Sequence, residues 1–169
     1  LSETISTVGL TLKGVKGVME ISIPTVAKIS ELTIVPDYVF LAIKATDLPD
    51  LMPQLSENIK SETRIITMEN GIVEDFVDKY LNNGHVVGCV TGWGATMHAR
   101  GKLEKTSDGE FVIGNLDGSV DKHLLEIKEI LNHIVPCKIS QNIYGDLYSK
   151  LIINSCITSL GALTGQLLG

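Results

Sequence analysis

Apolar residues along this chain alternate between two periodicities, and the alternation predicts the architecture. Asp37-Tyr-Val-Phe-Leu-Ala-Ile-Lys44 is a continuous apolar run of strand length, as expected of a parallel strand covered on both faces. Residues 63–70 and 85–91 have the same character. Between these runs, residues 48–59 and 72–81 carry helical spacing. Pro49 falls in the first turn of the earlier helix, where proline is tolerated, whereas Pro53 would allow that helix to begin only there. The order β-α-β-α-β predicts a parallel sheet with right-handed crossovers.

The flanks read differently. Residues 1–8 have the pattern of a helix tail. Residues 9–13, 18–23 and 25–29 are short β-branched or alternating runs broken by Gly14, Gly17 and Pro24, which predicts a small antiparallel excursion or an irregular connection. Beyond the third strand, residues 102–106 and 110–113 flank Ser107-Asp108-Gly109 and predict a hairpin. Residues 117–133 form an amphipathic helix with Leu124, Ile127, Ile130, Leu131 and Ile134 on one face, and 136–140 a further strand.

Residues 148–165 predict the last helix. At ~100° per residue, Lys150, Asn154, Thr158, Gly161 and Gly165 fall within roughly 80° of one another. Ile152, Cys156, Leu160 and Leu163 occupy a separate arc suited to a core. Two glycines on a polar stripe suggest close approach to the backbone, because glycine costs a helix interior about 1 kcal/mol relative to alanine. Lys150, rooted among Leu151, Ile152 and Ile153, is either partly desolvated and poised to release a proton, or extended to solvent.

Ligands of open parallel sheets bind outside the carboxyl ends of the strands. Lys44, Asn70 and Gly92-Trp93-Gly94 close the three predicted parallel strands and so share one rim. Taken singly, Lys44 also fits a strand's exit to solvent, and Asn70-Gly71 a turn pair. Their coincidence ahead of a polar-striped helix points to a site.

Composition narrows the classes. The 169 residues carry a formal net charge of −6, against a nucleic-acid or anionic-membrane partner, which would require a basic patch. No window approaches the ~18 apolar residues of a membrane span. Cys89, Cys137 and Cys156 are odd in number and set in apolar runs, as expected of reduced, buried thiols in a cytoplasmic protein without disulfides. The four histidines form no pair at metal-ligand spacing, so no metal is predicted. The opening Leu1, with no signal-peptide pattern, reads as the start of a piece of something longer.

Three motifs in order resemble those of the ketopantoate reductase (2-dehydropantoate 2-reductase) family. Ile43-Lys44-Ala45 is similar to its Val-Lys-Ala, Asn70-Gly71 to its Gln-Asn-Gly, and Tyr148-Ser-Lys-Leu-Ile-Ile-Asn154 to its Trp-x-Lys-Leu-x-x-Asn. Phe111-Val-Ile-Gly114 also fits. The resemblance implies an α/β fold: a Rossmann-like parallel sheet lacking its first βα unit (residues 1–141), then the opening helix of an all-helical substrate domain (142–169). It implies NADPH as cofactor, a small-molecule 2-oxo acid as substrate, a homodimer as the assembly to consider, and a place in pantothenate and coenzyme A biosynthesis. By the same resemblance Lys150 is the general acid, and Asn70, Asn154 and Thr158 contact substrate. Lys44, Asn70 and Ala95 contact the cofactor.

Thr158, Tyr148 and Glu69 depart from the asparagine, tryptophan and glutamine common at those places. The Gly-x-Gly-x-x-Gly that holds a pyrophosphate does not occur in the chain. Two alternatives stand beside the main reading. One is a paralogue reducing another 2-oxo acid. The other is a non-catalytic fragment serving as an interaction module, and the 169 residues alone are expected to be inactive.

Overall fold

The computed structural model describes residues 2–14, 17–82 and 84–166. Leu1 of the expected opening helix, and residues 167–169 of the expected second domain, lie outside them. In chain order the elements are α1 (Ser2–Val8), β1 (Leu10–Gly14), β2 (Gly17–Ile21), β3 (Tyr38–Leu41), α2 (Leu48–Glu57), β4 (Arg64–Thr67) and α3 (Glu74–Leu81). There follow β5 (Val86–Thr91), β6 (Gly94–Ala99), β7 (Lys102–Ser107), β8 (Phe111–Asn115), α4 (Lys122–Asn132), β9 (Cys137–Ile139) and α5 (Ile143–Thr164). The fold is α/β, and β3, β4 and β5 pair in parallel as the apolar runs predict.

Alternation along β4 and β5 divides the core in two. Ile65 and Val86 point to one face, where Leu48, Met52 and Leu55 of α2 and Val77 of α3 meet them. Ile66 and Val87 point to the other, against Leu124, Ile127 and Leu131 of α4. All four strand residues are at most 2% exposed. Burial of Leu48 and Met52 carries α2 through Pro53, so the helix begins at Leu48 with Pro49 in its first turn.

The expected hairpin between 102–106 and 110–113 does not form. Its two halves lie in different sheets: β7 joins a four-stranded sheet ordered β2-β1-β7-β6, and β8 joins a five-stranded sheet ordered β3-β4-β5-β8-β9. The hairpin in this region is β6–β7, closed around Gly101 at φ +77°. Ser107-Asp108-Gly109 is instead the crossing between sheets. A Cβ on Gly109 would lie 2.1 Å from the Gly92 carbonyl oxygen, so only glycine allows that passage. Of the early runs, 9–13 and 18–23 give the antiparallel pair β1–β2, while 25–29 supplies no strand.

Two helix boundaries also differ from expectation. Asp117 accepts from the Ser119 backbone N–H and hydroxyl in a turn of its own, so α4 starts only after Asp121, whose carboxylate caps it by accepting from Leu124 N–H at 2.8 Å. Ile130 and Ile134, expected on the apolar face, are exposed. The last helix begins five residues earlier than expected, capped by Asn142, whose side chain accepts from Gly145 N–H. Among the described residues no helix is long and apolar enough to cross a membrane.

Candidate active site

α5 is seated on a bare patch of the main sheet. Gly88 of β5 and Gly114 of β8 are directly paired, and both lie under Ile143. A Cβ at Gly88 would stand 2.7 Å from Ile143 Cγ1, and one at Gly114 2.6 Å from the Ser140 carbonyl oxygen. The missing side chains let Ile143 and Leu147 sink to 1% and 3% exposure. From that seat α5 runs to the carboxyl end of β5, and seven residues past Ile143 it presents Lys150.

Lys150 Nζ donates to the Thr91 carbonyl oxygen at 2.8 Å, at the last residue of β5. The side chain is half-buried. Burial lowers its pKa below the ordinary 10.5, with Cys89 pulling the other way. Burial also pushes the Cys89 thiol up to about 12, which keeps that neighbour protonated. An ammonium has three donors, and the Thr91 carbonyl takes one.

Around Lys150 lies an open cavity of about 590 Å³ whose lining includes Asn70, Thr91, Trp93, Ile153 and Asn154. Asn70 comes from the loop after β4, with Gly71 beside it at φ +107° and open space where a Cβ would be. Asn154 stands one turn beyond Lys150 on the same face. Three of the six residues singled out in the sequence therefore converge: Asn70, Lys150 and Asn154.

Lys44, Ala95 and Thr158 are not part of that lining. Lys44 is exposed in the loop after β3, Ala95 is exposed on β6 in the second sheet opposite Lys105, and Thr158 is exposed one turn past Asn154. Among the described residues the apolar arc Ile152, Cys156, Leu160 and Leu163 meets no core: Ile152 is 63% exposed and Leu163 84%, and Cys156 is an exposed thiol, unlike the buried Cys89 and Cys137. The polar-stripe glycines are not closely approached within the described residues. Gly165 ends α5 in the left-handed conformation at φ +65°, a helix-stop role.

One contributor to the lining escaped the sequence reading. Asp146 lines the same cavity four residues before Lys150, a spacing that could have marked it. Glu69, beside Asn70, is 6% exposed with neither carboxyl oxygen hydrogen-bonded among the described residues. Burial raises its pKa, against nearby backbone N–H groups of Glu69, Ile43 and Met68.

A family model described as Ketopantoate reductase PanE/ApbA matches residues 1–118. A 2-dehydropantoate 2-reductase of Aquifex aeolicus (strain VF5) is 27% identical over 157 residues, covering 90% of this chain and 50% of that protein. One of Pyrococcus abyssi (strain GE5 / Orsay) is 25% identical over 157 residues, covering 92% and 50%. The chain thus spans about half the length of the curated relatives it matches. Among solved structures, 2-dehydropantoate 2-reductase from Methylococcus capsulatus superposes with a TM-score of 0.86 at 23% identity, over 97% of this chain and 54% of that one. A ternary structure of D-mandelate dehydrogenase with NADH and anilino(oxo)acetate gives 0.79 at 23%, over 95% and 52%.

Proposed function

The chain belongs to the ketopantoate reductase family, and from that premise we propose that it carries the acid and substrate contacts for NADPH-dependent reduction of 2-dehydropantoate to pantoate, in pantothenate and coenzyme A biosynthesis. One observation carries the reading: the half-buried Lys150 ammonium, anchored on the Thr91 carbonyl, shares a cavity at the carboxyl end of the parallel strands with Asn70 and Asn154.

The rim fits the nicotinamide end of a dinucleotide: it is open, Asn70 is exposed on it, and the space over Gly71 is clear. The phosphate end has no glycine-rich cradle among these 169 residues, so activity requires residues outside them. The cofactor, when bound, supplies hydride to the carbonyl carbon. The remaining work belongs to this chain. Lys150 uses its free donors to bind the substrate carbonyl oxygen and gives up a proton as negative charge develops there. Its lowered pKa makes that transfer easier, because burial already disfavours the charged form. Asn154 and Asn70 offer amide donors that orient the 2-oxo acid, and Thr158 and Lys44 act further out, on substrate and cofactor respectively. α5 opens the substrate domain in this scheme.

Steady-state kinetics on a chain of the relatives' full length tests it. Lys150→Met is expected to lower kcat for 2-dehydropantoate by roughly 10²–10⁴-fold, the range for a positioned general acid. NADPH affinity is expected to change little, and Asn154→Ala to act mainly on KM. A folded Lys150→Met enzyme that turns over normally would remove the assignment.

A further inference from the structure

The cavity around Lys150 has an apolar half that the proposed reduction leaves unassigned: Val90, Trp93, Val112 and Ile153. Trp93, the single tryptophan of the 169 residues, stands two positions past Thr91, whose carbonyl anchors the ammonium. Two residues of chain span at most about 7 Å between Cα atoms, so the indole is rooted beside that anchor.

The ring is held in place. Gly92 N–H donates to the Glu110 carbonyl at 2.9 Å, and a Cβ on Gly94 would lie 2.9 Å from Ser107 Oγ, so the backbone on either side of Trp93 is pressed onto the crossing between β7 and β8. The indole meets Phe111 edge-on, with centroids 5.8 Å apart and planes at 90°. Phe111 is fully buried and pairs directly with Thr91. Trp93 is therefore a fixed wall of the cavity. It is partly exposed, yet its Nε1 is buried with no hydrogen-bond partner among the described residues, which withdraws the indole's one polar atom from any ligand. Val90 and Val112, paired across β5 and β8, continue the apolar surface.

The polar groups set the other limit. Lys150, Asn70 and Asn154 suit the carbonyl and carboxylate of a 2-oxo acid. Asp146, the one carboxylate of the lining among the described residues, opposes a second acid group on the same ligand. A small acid such as pyruvate leaves the wall uncovered, whereas a branched or aromatic tail covers it and removes apolar surface from water.

We propose that Trp93 is a specificity-determining residue: its indole seats the carbon-3 substituent of the 2-oxo acid and selects bulky apolar tails over small or doubly charged ones. This rests on the reading of Lys150 as the acid that serves the carbonyl.

Kinetics on a chain of the relatives' full length test it, with 3-methyl-2-oxobutanoate, phenylglyoxylate, 2-oxoglutarate and pyruvate as substrates. One methylene in an apolar pocket is worth roughly 10–200-fold in discrimination. The kcat/KM ratio of 3-methyl-2-oxobutanoate to pyruvate is accordingly expected to fall about tenfold or more in Trp93→Ala. Trp93→Phe, which keeps an aromatic edge on Phe111, is expected to retain most of the ratio, and the KM for NADPH to hold in both. Trp93→Leu, read alongside a thermal melt, gives a further variant should Trp93→Ala fail to fold. A second readout needs no turnover. With NADP⁺ present, the tryptophan emission that is lost in Trp93→Phe is expected to be quenched saturably by 3-methyl-2-oxobutanoate and phenylglyoxylate, and more weakly by pyruvate. Such quenching without turnover would remove the acid role of Lys150 and leave the seat standing. Normal turnover with an unchanged ratio in the folded variants would overturn the seat and leave the acid role. So would an effect confined to the KM for NADPH, or a preference for 2-oxoglutarate over the branched acid.

Discussion

Burial sets the behaviour of single residues here, and two of its effects are measurable. Because the folded pKa of Lys150 lies below its ordinary 10.5, the unfolded chain holds that proton more tightly than the folded one. At neutral pH, below both values, the buried charge opposes folding. The opposition fades as pH rises through the folded pKa toward 10.5. Lys150→Met is therefore expected to raise Tm at pH 7, with the gain shrinking in melts near pH 10. A variant that melts lower at pH 7 would show that the ammonium is stabilising. The thiols give the second test. Cys156 is exposed, whereas Cys89 and Cys137 are buried with pKa values pushed up to about 12 and about 11 by desolvation. A native-state thiol titration is expected to show one fast equivalent, and the other two only after denaturation.

At the scale of elements, the seat of α5 on paired glycines is the joint that aims the lysine. Gly88→Ala places a Cβ 2.7 Å from Ile143 Cγ1, near the helix backbone, where no flexible tip can swing aside. Overpacking of this kind costs roughly 1–3 kcal/mol, so a urea melt is expected to fall by that amount. In the full-length enzyme kcat is expected to fall with it, although Gly88 touches no reacting atom. An Asp121→Ala change acts on α4 instead. It removes the cap on Leu124 N–H and strips the partly buried Arg64 of its partner, so a loss of about 1–2 kcal/mol is expected from the cap alone.

At the scale of the whole molecule, what could be read from the sequence was what repeats locally. The strands β3, β4 and β5 are apolar runs, and their helices carry helical spacing, so the parallel core and the rim at its carboxyl end followed from pattern. Asn70, Lys150 and Asn154 followed from where the runs end and how α5 is striped. Pairing partners did not follow. Residues 102–107 have the same strand signal whether they bond to β6 or β8, and the choice is made by Gly109 passing against Gly92, a contact no period encodes. The strand β6 was missed because five of its six residues are exposed and carry no alternation. The outer arc of α5 was read as core because apolar spacing marks a face fit for burial without naming what buries it. Among the described residues that face stays open from Ile152 to Leu163.

The second sheet closes late. Its parallel pair, β1 with β7, joins Thr11 to Lys102, roughly 90 positions further along the chain. A ribosome adding about 5–20 residues each second would leave β1 and β2 waiting several seconds for that partner. A lone two-stranded ribbon is marginal in water, and Val18 and Met19 remain exposed even in the finished fold. During synthesis, then, the β1–β2 ribbon waits for its partner strand with Val18 and Met19 unshielded.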